Sequence, residues 1–257
     1  MKLPNNKFTH AIAEGKKQVG LWVGLTSNFA ANVIAPSGYD WVVVDMEHSP
    51  NTLDSVLSQL QAFEASDTTA IVRPEWNDPV LVKRLLDLGA PGLLFPMIQT
   101  VEEAEAAVAA TRYPPRGIRG MSGMIRGNKF GRITDYIERI EEETTVIIQL
   151  ETAEAISRAE EIAAVDGVSG IFFGPADVAA DIGMKGKTMD PAVWDIIIPA
   201  SKKLMAMGMP VGTLVMDVDF AAKLSNDGFT FVACGMDTTL LAKSSDALLA
   251  DMKSKMS

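Results

Sequence analysis

Ionisable side chains stand at the ends of four short apolar runs in this sequence. Asp45 ends the run WVVVD, and Arg73 ends AIVR. Glu151 ends VIIQLE, and Asp177 closely follows GIFFG. The end of a strand is often polar only because it is exposed, so one such residue alone indicates little. Four of them in equivalent positions favour a shared catalytic or binding site.

Two of these residues are carboxylates suited to a metal ion. Glu151 and Asp177 offer hard oxygen ligands. Two carboxylates completed by water are the usual protein contribution to an octahedral Mg²⁺ or Mn²⁺ ion that also binds substrate. Zinc more often recruits histidine or cysteine, and the chain has two histidines and one cysteine. The pair therefore predicts a divalent metal site built on oxygen ligands.

A histidine and an arginine complete the set of reactive groups. His48 lies three residues beyond Asp45, in the loop after the strand, where a neutral imidazole could act as a general base near pH 7. Arg73 could hold a developing oxyanion with fixed positive charge. The alternative for His48 is a loop histidine without a catalytic role. The alternative for Arg73 is an ion pair with a nearby carboxylate, which does not exclude its catalytic role. The second histidine, His10, falls in an amino-terminal helical pattern and is expected at the surface.

The segment GPAD, residues 174–177, adds a candidate anion site. Gly174 permits a tight turn and Pro175 suits the first turn of a helix. The N–H groups of Ala176 and Asp177 would then face outward at a helix amino terminus, which favours a carboxylate or phosphate. A metal, an anion site, an arginine and a histidine base together describe a site for a small 2-oxo acid. The histidine would remove a methyl proton, and the metal and the arginine would stabilise the enolate.

The elements that must position these residues alternate along the chain. Eight short β-branched or aromatic runs alternate with segments of helical periodicity, and near-continuous apolar strands are typical of a parallel sheet covered on both faces. This pattern predicts a single α/β domain over residues 1–257, a (β/α)8 TIM barrel with its site at the carboxyl ends of the strands. The predicted strands are Gly20–Gly24, Trp41–Asp45, Ala70–Arg73, Gly92–Pro96, Val146–Glu151, Gly170–Gly174, Val211–Val215 and Phe229–Cys234. The predicted helices are Leu53–Ala65, Pro79–Leu88, Val101–Arg112, Ala153–Ala164, Pro191–Met207, Phe220–Asn226 and Asp237–Lys253, and the long connection Tyr113–Arg132 is expected to be functional.

Composition argues against several classes of protein. Hydrophobic residues make up 47% and charged residues 22% of the chain, which is ordinary globular usage. A net charge of −10 lacks the basic footprint of a nucleic-acid binder. No apolar run approaches the roughly 20 residues of a membrane helix, the amino terminus has no apolar signal region, and the lone Cys234 cannot form an internal disulfide. The sequence thus predicts a cytoplasmic protein without nucleic-acid or membrane partners.

Six segments in combination resemble the HpcH/HpaI aldolase family of metal-dependent class II pyruvate aldolases. They are DMEHSPN (45–51), VRPEWND (72–78), LDLGAPGLLFPMIQT (86–100), ATRYPPRGIRG (110–120), QLETAEA (149–155) and GPADVAADIG (174–183). The resemblance runs from about Lys7 to Met252. It implies reversible cleavage of 4-hydroxy-2-oxo acids to pyruvate, or a related 2-oxo acid, and an aldehyde. The implied cofactor is a divalent metal, Mg²⁺, Mn²⁺ or Co²⁺, with Zn²⁺ as an alternative.

The resemblance also implies a role for each motif residue. Glu151 and Asp177 would bind the metal, and Arg73 would stabilise the pyruvate enolate. His48 would be the base, acting through a metal-bound water, with Asp87 as its hydrogen-bonding partner. Asp45 would help to shape the aldehyde site across a subunit interface, and Gln149 would lie beside the keto acid. The wall of the substrate pocket would be formed by Trp22, Ala176 and Leu214.

The resemblance further implies a homo-hexamer whose last helix is exchanged between neighbouring subunits. The apolar stripe of the carboxy-terminal segment TTLLAKSSDALLADM agrees with this, because it must be buried somewhere. Two departures from the family pattern are Met121 and Met124 in one loop and Thr213 in the predicted seventh strand. They are expected to border the aldehyde, and they leave its identity open without affecting the pyruvate chemistry.

Three other functions compete with the aldolase. A Schiff-base aldolase needs a lysine of lowered pKa in an apolar pocket, and none of the eight predicted strands contains a lysine. A citrate-lyase-type barrel acting on acyl-CoA thioesters would share the carboxylates and the arginine, but the loop DMEHSP with His48 favours the aldolase. A non-catalytic binder of 2-oxo acids fits the same fold, although it would leave His48 without a role.

Overall fold

The strands form one closed parallel barrel. The computed structural model of the chain describes residues 1–256, and in this range eight strands pair in sequence order, with the last closing onto the first. This confirms the predicted TIM-barrel fold. The strands are β1 (Gln18–Val23), β2 (Trp41–Asp45), β3 (Thr69–Arg73), β4 (Gly92–Phe95), β5 (Thr145–Leu150), β6 (Gly170–Phe173), β7 (Val211–Leu214) and β8 (Phe231–Met236).

Helices surround the barrel and agree with most of the predicted ones. The predicted helix Ala153–Ala164 is two helices, because Arg158 leaves helical geometry at φ −103° and ψ 11°. None of the helices in residues 1–256 is long and apolar enough to cross a membrane. The helices are α1 (Lys7–Ala13), α2 (Asn28–Ile34), α3 (Leu53–Phe63), α4 (Pro79–Asp87), α5 (Val101–Thr111), α6 (Tyr136–Arg139), α7 (Ala153–Ser157), α8 (Ala159–Ala163), α9 (Pro175–Asp181), α10 (Pro191–Ala206), α11 (Val218–Asn226) and α12 (Asp237–Lys255).

Side-chain caps determine where the helices after β2, β3 and β4 begin. Thr52 and Thr100 form capping boxes at α3 and α5, in which the threonine oxygen accepts from the third backbone N–H of the helix. Asp78 accepts from the N–H groups of Val80 and Leu81 at the start of α4. These caps set the length of the loops at the carboxyl ends of the strands, where the predicted site residues lie.

The barrel interior is filled by large aromatic side chains. Phe8 of α1 stacks on Trp41 with ring centroids 5.2 Å apart, so the first helix closes the amino-terminal end of the barrel. Nearer the other end, Trp22 packs against Phe172 at 5.3 Å. All four rings are buried. This packed layer is the floor on which the polar residues at the carboxyl ends of the strands rest.

Candidate active site

A cavity of about 260 Å³ opens at the carboxyl ends of the strands. It brings together most of the residues expected to bind substrate or metal and to act as the base. They come from β1, β3, β5 and β7, from the loop after β2 and from the start of α9. Glu151 lies just below its surface, since it is buried and in contact distance of Gly174. The lining residues are Trp22, His48, Arg73, Gln149, Phe172, Gly174, Pro175, Ala176, Asp177, Thr188, Leu214, Val215, Met216 and Met236.

Arg73 is clamped by two carboxylates from the end of β2. Its Nε and Nη2 donate to the two oxygens of Asp45 at 2.8 and 2.7 Å, and its Nη1 lies 2.8 Å from Oε2 of Glu47. The guanidinium also lies 5.2 Å from the ring centroid of Trp22. A guanidinium has five N–H groups, and the fork on Asp45 uses two. The contact with Glu47 engages Nη1, which leaves one N–H on Nη1 and one on Nη2 for an anionic oxygen in the cavity.

The neighbouring carboxylates keep the Arg73 guanidinium protonated. Burial acts to lower the pKa of the guanidinium, but the hydrogen bonds and charge of Asp45, together with the charges of Glu47 and Glu151, raise it above its usual value. Asp45 itself is fully buried. Within the chain, Asp45 therefore fixes the orientation and charge of Arg73. The ion pair expected as the alternative is present, and it does not exclude the predicted oxyanion role.

Glu151 is a buried carboxylate held at both oxygens. Gln149 donates from Nε2 to Oε1 of Glu151, and the backbone N–H of Met97 donates to Oε2 at 2.8 Å. Gly174 is required beside it, because a Cβ atom there would lie 2.9 Å from the Glu151 side chain. Burial raises the pKa of Glu151 to about 8; the two hydrogen bonds oppose this shift, and the neighbouring Asp177 adds to it.

The backbone at Met97 is unusual for a residue with a side chain. Its φ of 52° lies in the left-handed region that mainly glycine adopts. Such conformations persist where the surroundings enforce them, and they cluster at functional sites. Here the conformation accompanies a backbone N–H that points at Glu151, directly after the end of β4.

The donor set fits a hard divalent ion. Glu151 and Asp177 are close enough for Asp177 to raise the pKa of Glu151, and the nearby Arg73 is already engaged by other carboxylates. Oε1 of the buried Gln149 has no hydrogen-bond partner among the described residues. Within residues 1–256 no group of three or more His, Cys, Asp or Glu side chains could hold a metal ion. The protein thus offers two carboxylates, which leaves most positions of an octahedral ion to water and substrate.

His48 stands at the mouth of the cavity. Its side chain is 64% exposed, and its Nε2 lies 3.9 Å from Oε2 of Glu47. Burial raises the pKa of the Glu47 carboxyl, while the charges of Arg73 and His48 act against that shift. An accessible imidazole beside a carboxylate can accept a proton and have the resulting charge stabilised.

Asp87 does not lie in this cavity. It is the last residue of α4, which leads from the carboxyl end of β3 back to the amino end of β4. There its Oδ1 accepts from Nη2 of the buried Arg119 at 2.8 Å. The expected hydrogen bond between Asp87 and His48 is therefore not made within one chain, because the helix carries Asp87 to the opposite end of the barrel.

The three residues expected to border the aldehyde do not line the cavity of their own chain. Thr213 is fully buried and its hydroxyl donates to the carbonyl of Phe173 at 3.0 Å, so the expectation is wrong for this residue. Its neighbour Leu214 lines the cavity instead, because successive side chains of a strand point to opposite faces. Met121 and Met124 lie on an exposed segment away from the cavity lining.

Several residues of the site were not predicted from the sequence. The amide of Met97 carries no signal in the sequence, because every residue except proline supplies a backbone N–H. Thr188, Met216 and Met236 border the cavity from loops or strand ends beyond the motifs. The contact of Glu47 with Arg73 had one signal in the sequence, since Glu47 is a second carboxylate two residues beyond Asp45, at the same end of the barrel.

Comparison with known proteins agrees with this geometry. Residues 18–244 match the family model described as HpcH/HpaI aldolase/citrate lyase. The chain is 48% identical over 250 residues to a pyruvate aldolase of Rhizobium etli, covering 97% of this chain and 98% of that protein. It is 45% identical over 246 residues to the 4-hydroxy-2-oxo-heptane-1,7-dioate aldolase of Salmonella arizonae, covering 95% and 94% of the two chains.

A solved structure shows the same likeness in three dimensions. An HpcH/HpaI aldolase/citrate lyase family protein from Burkholderia cenocepacia matches with a TM-score of 0.93 and 35% identity, covering 97% of this chain and 100% of that one. The resemblance found in the six sequence segments is thereby confirmed over nearly the whole chain. The chain belongs to the HpcH/HpaI aldolase/citrate lyase family.

Proposed function

We propose that the protein is a class II, divalent-metal-dependent pyruvate aldolase. It cleaves 4-hydroxy-2-oxo acids reversibly to pyruvate, or a related 2-oxo acid, and an aldehyde. The observation that carries the proposal is the gathering of two neighbouring carboxylates, an arginine with unused N–H groups and an accessible histidine around one cavity. Relatives that are 45–48% identical and named as aldolases support it.

Glu151 and Asp177 would hold the metal. When bound, the ion supplies Lewis-acid polarisation of the carbonyl group of the 2-oxo acid. An all-oxygen donor set suits Mg²⁺, Mn²⁺ or Co²⁺ better than Zn²⁺. Gln149 and the amide of Met97 hold the carboxylate of Glu151 beside Asp177.

Arg73 and His48 divide the proton and charge chemistry. The unused N–H groups of Arg73 stabilise the negative charge that grows on the enolate oxygen, in a site preorganised by Asp45. The imidazole of His48 accepts the proton from the methyl group of pyruvate, and the carboxylate of Glu47 stabilises the imidazolium. In the cleavage direction, the same imidazole takes part in the proton transfers that release the aldehyde.

The wall of the cavity divides into a polar and an apolar part. The first turn of α9 presents the N–H groups of Ala176 and Asp177, which suit the substrate carboxylate. Trp22 of β1 and Leu214 of β7 form an apolar wall, and Met216 and Met236 continue it. The aldehyde would lie against this apolar wall.

We also propose that the protein assembles as a homo-hexamer. Helix α12 projects an apolar stripe that its own barrel leaves uncovered, and exchange with a neighbour would bury it. Asp87, with a side chain 26% exposed, could meet His48 only from a neighbouring copy. The exposed apolar residues of α12 are Leu240, Leu241, Leu248, Leu249 and Met252.

The proposal is tested by retro-aldol cleavage of a series of 4-hydroxy-2-oxo acids by Mn²⁺-loaded protein, with and without chelator. We expect pyruvate and an aldehyde to form, and the chelator to stop both. Glu151→Gln should abolish turnover, whereas Glu154→Gln, an exposed residue on α7, should not. A lyase acting on acyl-CoA thioesters would release no pyruvate from these substrates, and a pure binder would turn over nothing; either result would overturn the proposal.

A further inference from the structure

The loop that carries His48 is closed on itself by a buried side-chain amide. Asn51 is 4% exposed, and its Nδ2 donates to the backbone carbonyl of Asp45 at 2.7 Å. This bond joins the two ends of the segment 45–51, with His48 between them. The carboxylate of Asp45 holds Arg73 at the same time. One residue, Asp45, therefore links the loop of the base to the arginine.

A second buried amide anchors Asn51 to helix α3. Gln59 is fully buried, and its Nε2 donates to Oδ1 of Asn51 at 2.7 Å and to the carbonyl of Ser55 at 3.0 Å. The hydroxyl of Ser55 also donates to Oδ1 of Asn51 at 2.7 Å. The amide acceptor of Asn51 is thus saturated, and its donor is aimed at Asp45.

The choice of glutamine at position 59 is not explained by packing. Its neighbours on the buried face of α3 are the apolar Val56, Leu60 and Phe63. Oε1 of Gln59 has no hydrogen-bond partner among the described residues. A buried amide with an unsatisfied oxygen is less favourable than an apolar side chain of the same shape. The benefit of Gln59 must therefore lie in what its Nε2 holds, which is Asn51.

We propose that Asn51, anchored by Gln59, is a positioning residue that sets His48 relative to Arg73. This inference rests on the proposed aldolase function. Because the side chain of His48 is 64% exposed, its placement follows from the backbone of the loop and not from packing around the imidazole. The Asn51 bond fixes that backbone at the point where it leaves β2.

Replacement of Asn51 should slow proton removal more than it weakens substrate binding. A displacement of a reacting group by about 1 Å can cost on the order of 100-fold in rate. We expect Asn51→Ala to slow deuterium exchange into the pyruvate methyl group by about 10- to 100-fold, with the KM for pyruvate changed by less than about threefold. Asn51→Asp keeps the acceptor for Ser55 and Gln59 but loses the donor to Asp45, so it should not rescue the rate.

Two further variants separate positioning from stability. Gln59→Met removes the anchor and the unsatisfied oxygen together, so the melting temperature should stay the same or rise while exchange slows by about threefold to tenfold. Thr52→Ala removes the cap of α3 next to Asn51 but leaves the bond to Asp45 in place. It should lower the melting temperature and leave exchange within about twofold of the native rate.

The full chain, loaded with Mn²⁺, is incubated with pyruvate in D₂O, and protein and ion are removed from timed aliquots. NMR then measures the deuterium incorporated into the methyl group, and thermal melts are recorded alongside. The expected order is native and Thr52→Ala fastest, Gln59→Met intermediate, and Asn51→Ala and Asn51→Asp slowest. The inference is overturned if Asn51→Asp exchanges at the native rate, or if Thr52→Ala slows exchange as much as Asn51→Ala does. If the native protein fails to exchange with Mn²⁺ present, the aldolase proposal itself is wrong, and this inference falls with it.

Discussion

The raised pKa of Glu151 should make metal binding strongly dependent on pH. Burial and the neighbouring Asp177 raise the pKa of this carboxyl to about 8 in the metal-free protein. A divalent ion binds the ionised carboxylate, so at lower pH it must displace a proton. With a pKa of about 8, roughly 1% of Glu151 is ionised at pH 6 and about half at pH 8. The apparent affinity should therefore rise about fiftyfold between these two pH values, which corresponds to about 2.3 kcal/mol.

Isothermal titration calorimetry with Mn²⁺ measures this effect directly. Titrations in two buffers with different ionisation enthalpies give the number of protons released for each ion bound. We expect about one proton per ion at pH 6.5 and about half a proton at pH 8. Glu151→Gln is the matched control, because its residual affinity should vary little with pH in this range.

The sign of the effect distinguishes this explanation from others. In metal-free protein, a carboxyl whose pKa is raised by folding stabilises the native state at pH values below about 4.5, and this contribution is lost as pH rises through about 8. Stability without metal should therefore fall with rising pH while metal affinity increases. Native affinity that is the same at pH 6 and pH 8, without proton release, would refute the argument.

Three further predictions concern the arginine, the glycine and the assembly. Arg73→Lys should slow turnover by about 10²- to 10³-fold, because a lysine cannot satisfy Asp45 as a fork and also face the enolate; steady-state kinetics would contradict this if the loss were under tenfold. Gly174→Ala should weaken Mn²⁺ binding by at least about tenfold while circular dichroism stays native, because the added Cβ would lie 2.9 Å from the Glu151 side chain and displace it; unchanged affinity would refute the close approach. Light scattering should give a mass several times 27.6 kDa at micromolar concentration, and a monomer would end the proposal that α12 is buried on a neighbour.

The barrel was predictable because each strand is a short apolar run with a clear end in the sequence. Runs such as WVVV (41–44) and GIFF (170–173) are apolar throughout and are followed by a charged residue or Gly, as expected for strands buried on both faces. Their ends were less predictable. The last strand was expected at Phe229–Cys234 and lies at Phe231–Met236, because its register is set by pairing with β1 and β7 and not by local composition.

The site was predictable only where a side chain carries the chemistry. Arg73, Glu151 and Asp177 meet at one cavity because parallel strands end at the same rim. The left-handed backbone conformation of Met97 and its N–H bond to Glu151 could not be predicted, since a backbone contact does not depend on the type of side chain. The pairing of Asp87 with His48 was expected from the family resemblance alone. A resemblance in sequence assigns a role to a residue but does not say whether two residues meet within one chain or between two copies.

Helix α2 escaped prediction for a different physical reason. It buries only Ala31 and leaves Phe29 and Val33 exposed. Its apolar residues are therefore spread over more than one face and do not form the single stripe of an amphipathic helix, which is the main signal of a helix in a sequence. Periodicity finds elements that pack a broad apolar face against the core, and α2 reaches the core mainly through Ala31 and Ile34.

The central claim is that Glu151, Asp177, Arg73 and His48 form a metal-dependent site that removes a methyl proton from pyruvate. Deuterium exchange into the pyruvate methyl group, with no aldehyde present, tests it most directly. We predict exchange that requires Mn²⁺, falls by about 10²- to 10⁴-fold in His48→Ala and by at least about 10²-fold in Arg73→Ala, and is lost in Glu151→Ala and Asp177→Ala. Native exchange that persists in chelator, or exchange at the native rate in His48→Ala, would contradict this claim. In the second case the base would have to be sought among the carboxylates, such as Glu47.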